Sequence, residues 1–302
     1  MNFDLSDDQR TIKTTARELL AARFPLAEVR RLAFEDERGF TDAQWGEMVE
    51  LGWPEIAAIG TVELIVVAEE LGYAVAPTPL QSTWAAGLLL GEPLAGGRRG
   101  AVVMDGLSAD AGGADVLVDW DGAVLTGASV EPVRALDPTR RLFRVSGGER
   151  ESLAGDVSRG RLQATVMNAA ESVGVAERAL EMAVAYAKER KQFGRAIGSY
   201  QAVSHACAQM LLEVEGARSA VYWAAWALDH EPGEAALAAA CAKAYAGDCG
   251  RRVTRAALQV HGGIGFTWEH DLQFFIKRGE ANAHAYGEGV AHRERIAALA
   301  GL

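Results

Sequence analysis

Glu189-Arg190-Lys191-Gln192-Phe193-Gly194-Arg195 decides the fold of this chain, because it closes one long helical run and a second starts within a few residues. On its N-terminal side Leu162, Val166, Ala169, Ala170, Val173, Ala176 and Leu180 recur at steps of three and four, which predicts a long helix with one apolar, mostly small face. Val203, Ala206, Met210, Val214, Ala217, Val221 and Ala225 repeat the pattern on the other side. Gly194 and Gly198 supply the break between the two helices. The cationic segment is therefore expected at a bundle corner, and the small faces around Ala169 and Ala225 are expected to be free for packing in an assembly.

A second corner lies downstream. Gln259-Val260-His261-Gly262-Gly263-Ile264-Gly265-Phe266 closes a helical run from about Ala235 and precedes another near Glu269. Glycines let a ligand approach the backbone closely, and helix termini offer free N–H groups to phosphate, so a cationic and a glycine-rich corner together invite an anion. Taken alone, paired glycines after a helix usually form a left-handed cap, and an Arg/Lys cluster is usually a solvated helix end.

Composition bounds the function. The 302 residues, 49% hydrophobic and 24% charged, suffice for a substantial core in one to three domains. A net charge of -11 argues against a nucleic-acid partner, since duplex affinity rests on Lys/Arg neutralising phosphates. Cys207, Cys241 and Cys249 have no CxxC spacing, so neither a disulfide framework nor a zinc site is expected. No Glu-x-x-His pair of the kind that builds di-metal bundles occurs, and no metal is expected. The acidic N-terminus lacks an apolar segment before a cleavage site, and no run of 18 apolar residues occurs, so a cytoplasmic protein without a membrane partner is expected.

The fold class follows as mainly α with a small β insert. Residues 1–95 read as an N-terminal helical domain: a helix capped by Asp4 or Ser6, then helices near 26–34, 42–52, 61–71 and 80–90. Thr41 with Gln44 forms a capping-box pattern, Gly72 with Pro77 and Pro79 reads as a helix terminator, and Trp45, Trp53 and Trp84 read as core anchors. Residues 96–155 hold short β-rich runs, GAVVMDG, DVLVDWDG, AVLTG and RLFRVSGG, between glycine and aspartate turns. Residues 156–302 read as an antiparallel bundle of the four-helix type with a terminal helix after Val290.

The two corners, with AYAKERKQFGRAIGSYQAVSHACAQM and AKAYAGDCGRRVTRAALQVHGGIGFTWEHDLQFFIKR around them, resemble the C-terminal bundle of the acyl-CoA dehydrogenase family of flavoproteins. The resemblance implies FAD as cofactor and α,β-dehydrogenation of an acyl-CoA thioester as the reaction. It also implies that Arg190, Gln192 and Phe193 meet the pyrophosphate and adenosine of an FAD held by a neighbouring subunit, and that Gln259, Gly262 and Gly263 face the same moiety. The middle β region is much smaller than the family's and lacks its Thr-Glu and Trp-Ile-Thr/Ser segments, which cradle the isoalloxazine.

The family's reaction needs a carboxylate base. The usual position falls on Gly287 in Ala285-Tyr286-Gly287-Glu288-Gly289, one residue short of Glu288, and the alternative falls near Ala164-Thr165, where no carboxylate stands. Three readings stay open. No catalytic residue is expected if the chain is a non-catalytic subunit that lends half of an FAD site to a full-length dehydrogenase chain in a heterotetramer. Glu288 is the base if the chain is a compact enzyme. A flavin-free helical scaffold is the third. The shortened middle region and the His292-Arg293-Glu294-Arg295 ending resemble the smaller partners of actinobacterial heteromeric dehydrogenases, several of which act on CoA esters of steroid side chains, so a bulky acyl group is implied.

Overall fold

A computed structural model describes residues 4–153 and 155–302. Ser6 accepts from the Gln9 amide and receives the reciprocal Gln9 side-chain contact, which opens α1 (Asp7–Arg23). Pro25 then forces a break before α2 (Leu26–Glu35), and the Thr41/Gln44 capping box starts α3 (Asp42–Glu50). A 3₁₀ segment at Trp53–Ala58 leads to α4 (Thr61–Ala74) and α5 (Leu80–Leu90). Trp84 donates its indole N–H to the Trp53 carbonyl at 2.7 Å and Trp45 to that of Gly97 at 2.9 Å, so both large side chains are buried without an orphaned donor.

The β insert is two small sheets. β1 (Gly100–Val103), β3 (Val116–Asp119), β4 (Ala123–Thr126) and β7 (Glu149–Ser152) form one in that order, with β1 and β3 parallel; β2 (Leu107–Ala109), β6 (Leu142–Ser146) and β5 (Ser129–Val133) form the other. Then come α6 (Ser158–Glu189), the two-residue strands β8 (Lys191–Gln192) and β9 (Arg195–Ala196), α7 (Gln201–His230), α8 (Pro232–His261), α9 (Leu272–His284) and α10 (Gly289–Leu299). Among the described residues no helix is long and apolar enough to cross a membrane, and no group of three His, Cys, Asp or Glu is placed to hold a metal.

Two expectations need correcting, both because α6 is the central helix and not a surface one. Every residue from Gln163 to Ala176 is buried, including Asn168, Glu171 and Ser172, so over this stretch α6 has no solvent-facing side. Ala169 and Ala225 are both fully buried inside this chain's own bundle and are not free for assembly. Gly72 does not terminate α4, which runs on to Ala74 and ends where Val75 turns left-handed at φ 43°. Gly72 is instead a crossing point. A Cβ there would lie 2.0 Å from the Glu171 carbonyl oxygen, and one at Gly174 would lie 1.8 Å from that of Glu69, so α4 and α6 pack backbone to backbone.

Candidate functional site

The cationic corner is a tight hairpin. Arg190 leaves the helix at φ −68°, ψ 124°, β8 and β9 pair Lys191 with Ala196 and Gln192 with Arg195, and Phe193 and Gly194 turn between them at φ 52° and 81°. Two consecutive left-handed residues make the turn that matches the natural twist of a two-residue hairpin. A phenylalanine there costs about 1 kcal/mol. Phe193 nonetheless stands 93% exposed, its ring meeting that of Tyr200 edge-on at 6.5 Å. Tyr200 donates its hydroxyl to the Gln192 carbonyl at 3.2 Å and lies under the Arg195 guanidinium at 4.0 Å, which steadies the turn from below. The Arg190 guanidinium has no hydrogen-bond or ion-pair partner among the described residues.

The glycine corner opens beside it. α8 ends at Gly262, φ 62°, and a 3₁₀ turn over Gly262–Phe266 follows; a Cβ at Gly262 or Gly263 would meet nothing within 4 Å. Space next to this backbone is therefore free. Gln259 is exposed, as are Ile264, Phe266 and Trp268. Tyr186 of α6, one turn before the cationic hairpin, stacks on His261, the last residue of α8, at 4.8 Å, and His261 meets His270 at 4.5 Å. The antiparallel bundle thus brings the two sequence segments to one end. The histidine that joins them was not legible as such in the sequence.

The loop in which the resemblance places a base runs over Ala285-Tyr286-Gly287-Glu288. Tyr286 and Gly287 are left-handed at φ 58° and 98°, and a Cβ at Gly287 would lie 3.0 Å from Nε2 of the buried His292, which bonds the Tyr286 carbonyl. A glutamate at 287 would be strained and crowded. Glu288 precedes α10 on the surface, its carboxylate 2.8 Å from Nδ1 of His284. Trp120 of the β insert covers Tyr286, ring centroids 5.3 Å apart. At the second candidate position Thr165 donates to the Arg161 carbonyl.

Where α5, α6, α9 and the loop between β5 and β6 converge, the interior holds paired charge. Arg278, fully buried, donates Nε to Asp137 and Nη1 to Glu171, each at 2.5 Å, and Arg140 adds Nη2 to Glu171 at 2.7 Å. Burial pushes the Glu171 and Asp137 carboxyls up, but Arg140 and Arg278 around Glu171, and Arg278 with Thr139 around Asp137, outweigh it and hold both below the ordinary carboxylate range. Carboxylates so held are poor bases. The one sequence signal for this network is Glu171 itself, an acidic residue set between Ala169-Ala170 and Ser172 in an otherwise small, apolar run.

Comparisons with known proteins agree with this architecture. The family model for the C-terminal domain of acyl-CoA dehydrogenases matches residues 157–300. Acyl-CoA dehydrogenase IpdE2 of Mycolicibacterium smegmatis is 34% identical over 307 residues, covering 94% of this chain and 96% of that protein. Among solved structures, a Tcur3481–Tcur3483 steroid ACAD superposes with a TM-score of 0.85 at 22% identity, over 98% of each chain. The ChsE4–ChsE5 complex from Mycobacterium tuberculosis gives 0.83 at 21%, over 100% of this chain and 99% of that one. The chain belongs to the acyl-CoA dehydrogenase family, a family of FAD-dependent oxidoreductases.

Proposed function

We propose that this chain is the non-catalytic subunit of a heteromeric acyl-CoA dehydrogenase, and that its paired corners complete the adenosine and pyrophosphate side of an FAD held mainly by a catalytic partner. The observation that carries this reading is an asymmetry. The corner end is open and its donors are unspent: a free Arg190 guanidinium, an exposed Gln259, glycine backbone at Gly262 and Gly263 with space beside it, and an exposed aromatic ring at Phe193. That donor set fits a diphosphate flanked by a purine. The end where chemistry would occur is closed, with glycine in the base position, His292 packed behind it and Trp120 over Tyr286.

FAD, when bound, supplies the acceptor for the hydride leaving the acyl thioester. This chain's residues bind and orient it. Arg190 supplies a charge-assisted contact to the diphosphate, Gln192 and Gln259 supply carboxamides, Phe193 supplies an apolar face, and Gly262-Gly263 allow close approach of the backbone. Gln192 at present donates its Nε2 to the Lys191 carbonyl at 2.7 Å and would exchange that contact. The compact-enzyme alternative would require Glu288 to leave His284 and the surface, and nothing in the loop favours that. A bulky acyl group, such as a steroid side chain, is the substrate class this reading carries, by likeness to the smaller partners of heteromeric relatives.

The test is flavin retention by the complex of this chain with its dehydrogenase partner. Removing a charge-assisted hydrogen bond costs roughly 1.5–3 kcal/mol, so Arg190→Ala should weaken FAD binding tenfold or more. Arg190→Lys should restore only part of it, because a point charge lacks the planar fork. Unchanged flavin affinity in Arg190→Ala would sink the assignment.

A further inference from the structure

A cavity of about 960 Å³ opens between the end of α2, the loop joining β5 to β6 and the start of α9. None of the corner residues assigned above lines it. Its walls are apolar, with Phe34, Leu136 and Trp268 all more than half exposed toward it or beside it, an arrangement that leaves large hydrophobic side chains in water. Its charge is one-sided. Arg134, Arg141 and Lys277, besides the carboxylate-paired Arg140, line it against a single carboxylate, Glu37, although the whole chain carries a net charge of -11.

These cations are not spent on carboxylates. Arg134 is exposed and has no hydrogen bond or ion pair among the described residues. Lys277 is held by the neutral Gln273 Oε1 at 2.9 Å and sits 4.4 Å over the Trp268 ring. Arg141 spends its donors on backbone carbonyls, among them those of Leu32 and Glu37 near the end of α2. Asp137, whose field reaches Lys277, is committed to Arg278. Deeper in, Arg140 is neutralised by Glu171, yet its Nε is buried with no acceptor. Burial lowers the Lys277 pKa, the mark of an ammonium that a bound anion would relieve.

We propose that this cavity is a binding site for an amphiphilic anion: an apolar body that lies against Trp268, Phe34 and Leu136, with one compact carboxylate, phosphate or sulfonate head turned to Arg134 and Lys277. The volume lies within the range of small-molecule sites, roughly 300–1,000 Å³. An anion without an apolar body would leave the aromatic walls wet, and a neutral lipid would leave the cations unpaired.

The probe is anilinonaphthalene sulfonate, titrated by fluorescence into the complete chain. One saturable site per chain is expected, displaced by decanoate or by decyl phosphate, and the tighter of the two competitors assigns the head to a carboxylate or a phosphate. Arg134→Glu and Lys277→Ala should each raise the dissociation constant tenfold or more, and Arg144→Ala, at an exposed arginine outside the cavity, should leave it unchanged. Arg134 is exposed and unpartnered, so its variant should fold with an unaltered thermal midpoint. The proposal is overturned if no saturable site is found, if neither decanoate nor decyl phosphate competes, or if the charge variants bind the probe as tightly as the parent.

Discussion

Lys243 is buried on α8, with its ammonium donating to the Asn168 Oδ1 at 2.6 Å and to the Asn282 carbonyl. Burial pushes its pKa down to about 7 against the opposing attraction of Glu171, and His292 also lies within its field. The unfolded chain keeps that proton up to about pH 10.4. Between those values the unfolded state binds more protons than the folded one, so stability rises with pH, by about 2 kcal/mol between pH 7 and 9. Urea midpoints measured across that window should climb for the parent protein and stay flatter for Lys243→Met; equal slopes would show that Lys243 is not neutralised in the fold. The acid limb has the same sign. Glu171 and Asp137 are held below their ordinary values, so the stability they contribute is present above about pH 4 and is lost as pH falls through their folded pKa.

The crossing of α4 over α6 is the contact that places everything else, because α6 carries the cationic hairpin at one end and Glu171 in its middle. Gly174 has room for no side chain: a Cβ would sit 1.8 Å from the Glu69 carbonyl oxygen and 2.7 Å from the Tyr73 amide nitrogen. Backbone atoms cannot step aside as a flexible side chain can, so Gly174→Ala should destabilise the protein by about 3 kcal/mol. Gly46 is the internal control. It lies inside α3 with nothing within 4 Å of its would-be Cβ, so Gly46→Ala should stabilise by up to about 1 kcal/mol. Chemical denaturation of the two variants checks both signs, and a neutral Gly174→Ala would mean that the helices are not in backbone contact. Much of the element order was legible beforehand, since helix periodicity, capping boxes and glycine turns are local signals. β2, β5 and β7 were missed because each is a run of three to five residues without a clear apolar alternation, and β5 and β7 are largely exposed.

At the scale of the molecule, the proposed function sets an open bundle end with the unpartnered Arg190 against a Tyr286-Gly287 loop backed by His292. In a heterotetramer of two such chains and two catalytic partners, each catalytic chain would receive a complete flavin site and this chain would offer none of its own. Two FAD per tetramer are therefore expected, with little flavin on this chain purified alone. Absorbance of released flavin against protein mass, combined with light scattering, measures the ratio. Four FAD per tetramer, or a stable homotetramer active by itself, would end the half-site reading.

The cationic hairpin, the glycine-rich corner and the glycine at position 287 are properties of local sequence and could be read from it. Their residue types and spacing are encoded within a few positions of one another. Tertiary structure alone decided that both corners share one bundle end, through Tyr186 on His261, and that α6 is buried on every side from Gln163 to Ala176. It also decided that Arg278, Asp137 and Glu171, scattered over 141 residues, converge on one paired cluster. The physical reason is that periodicity reports one face of a helix at a time. Which further faces are covered, and which buried charges find partners, depends on chain segments far away in sequence.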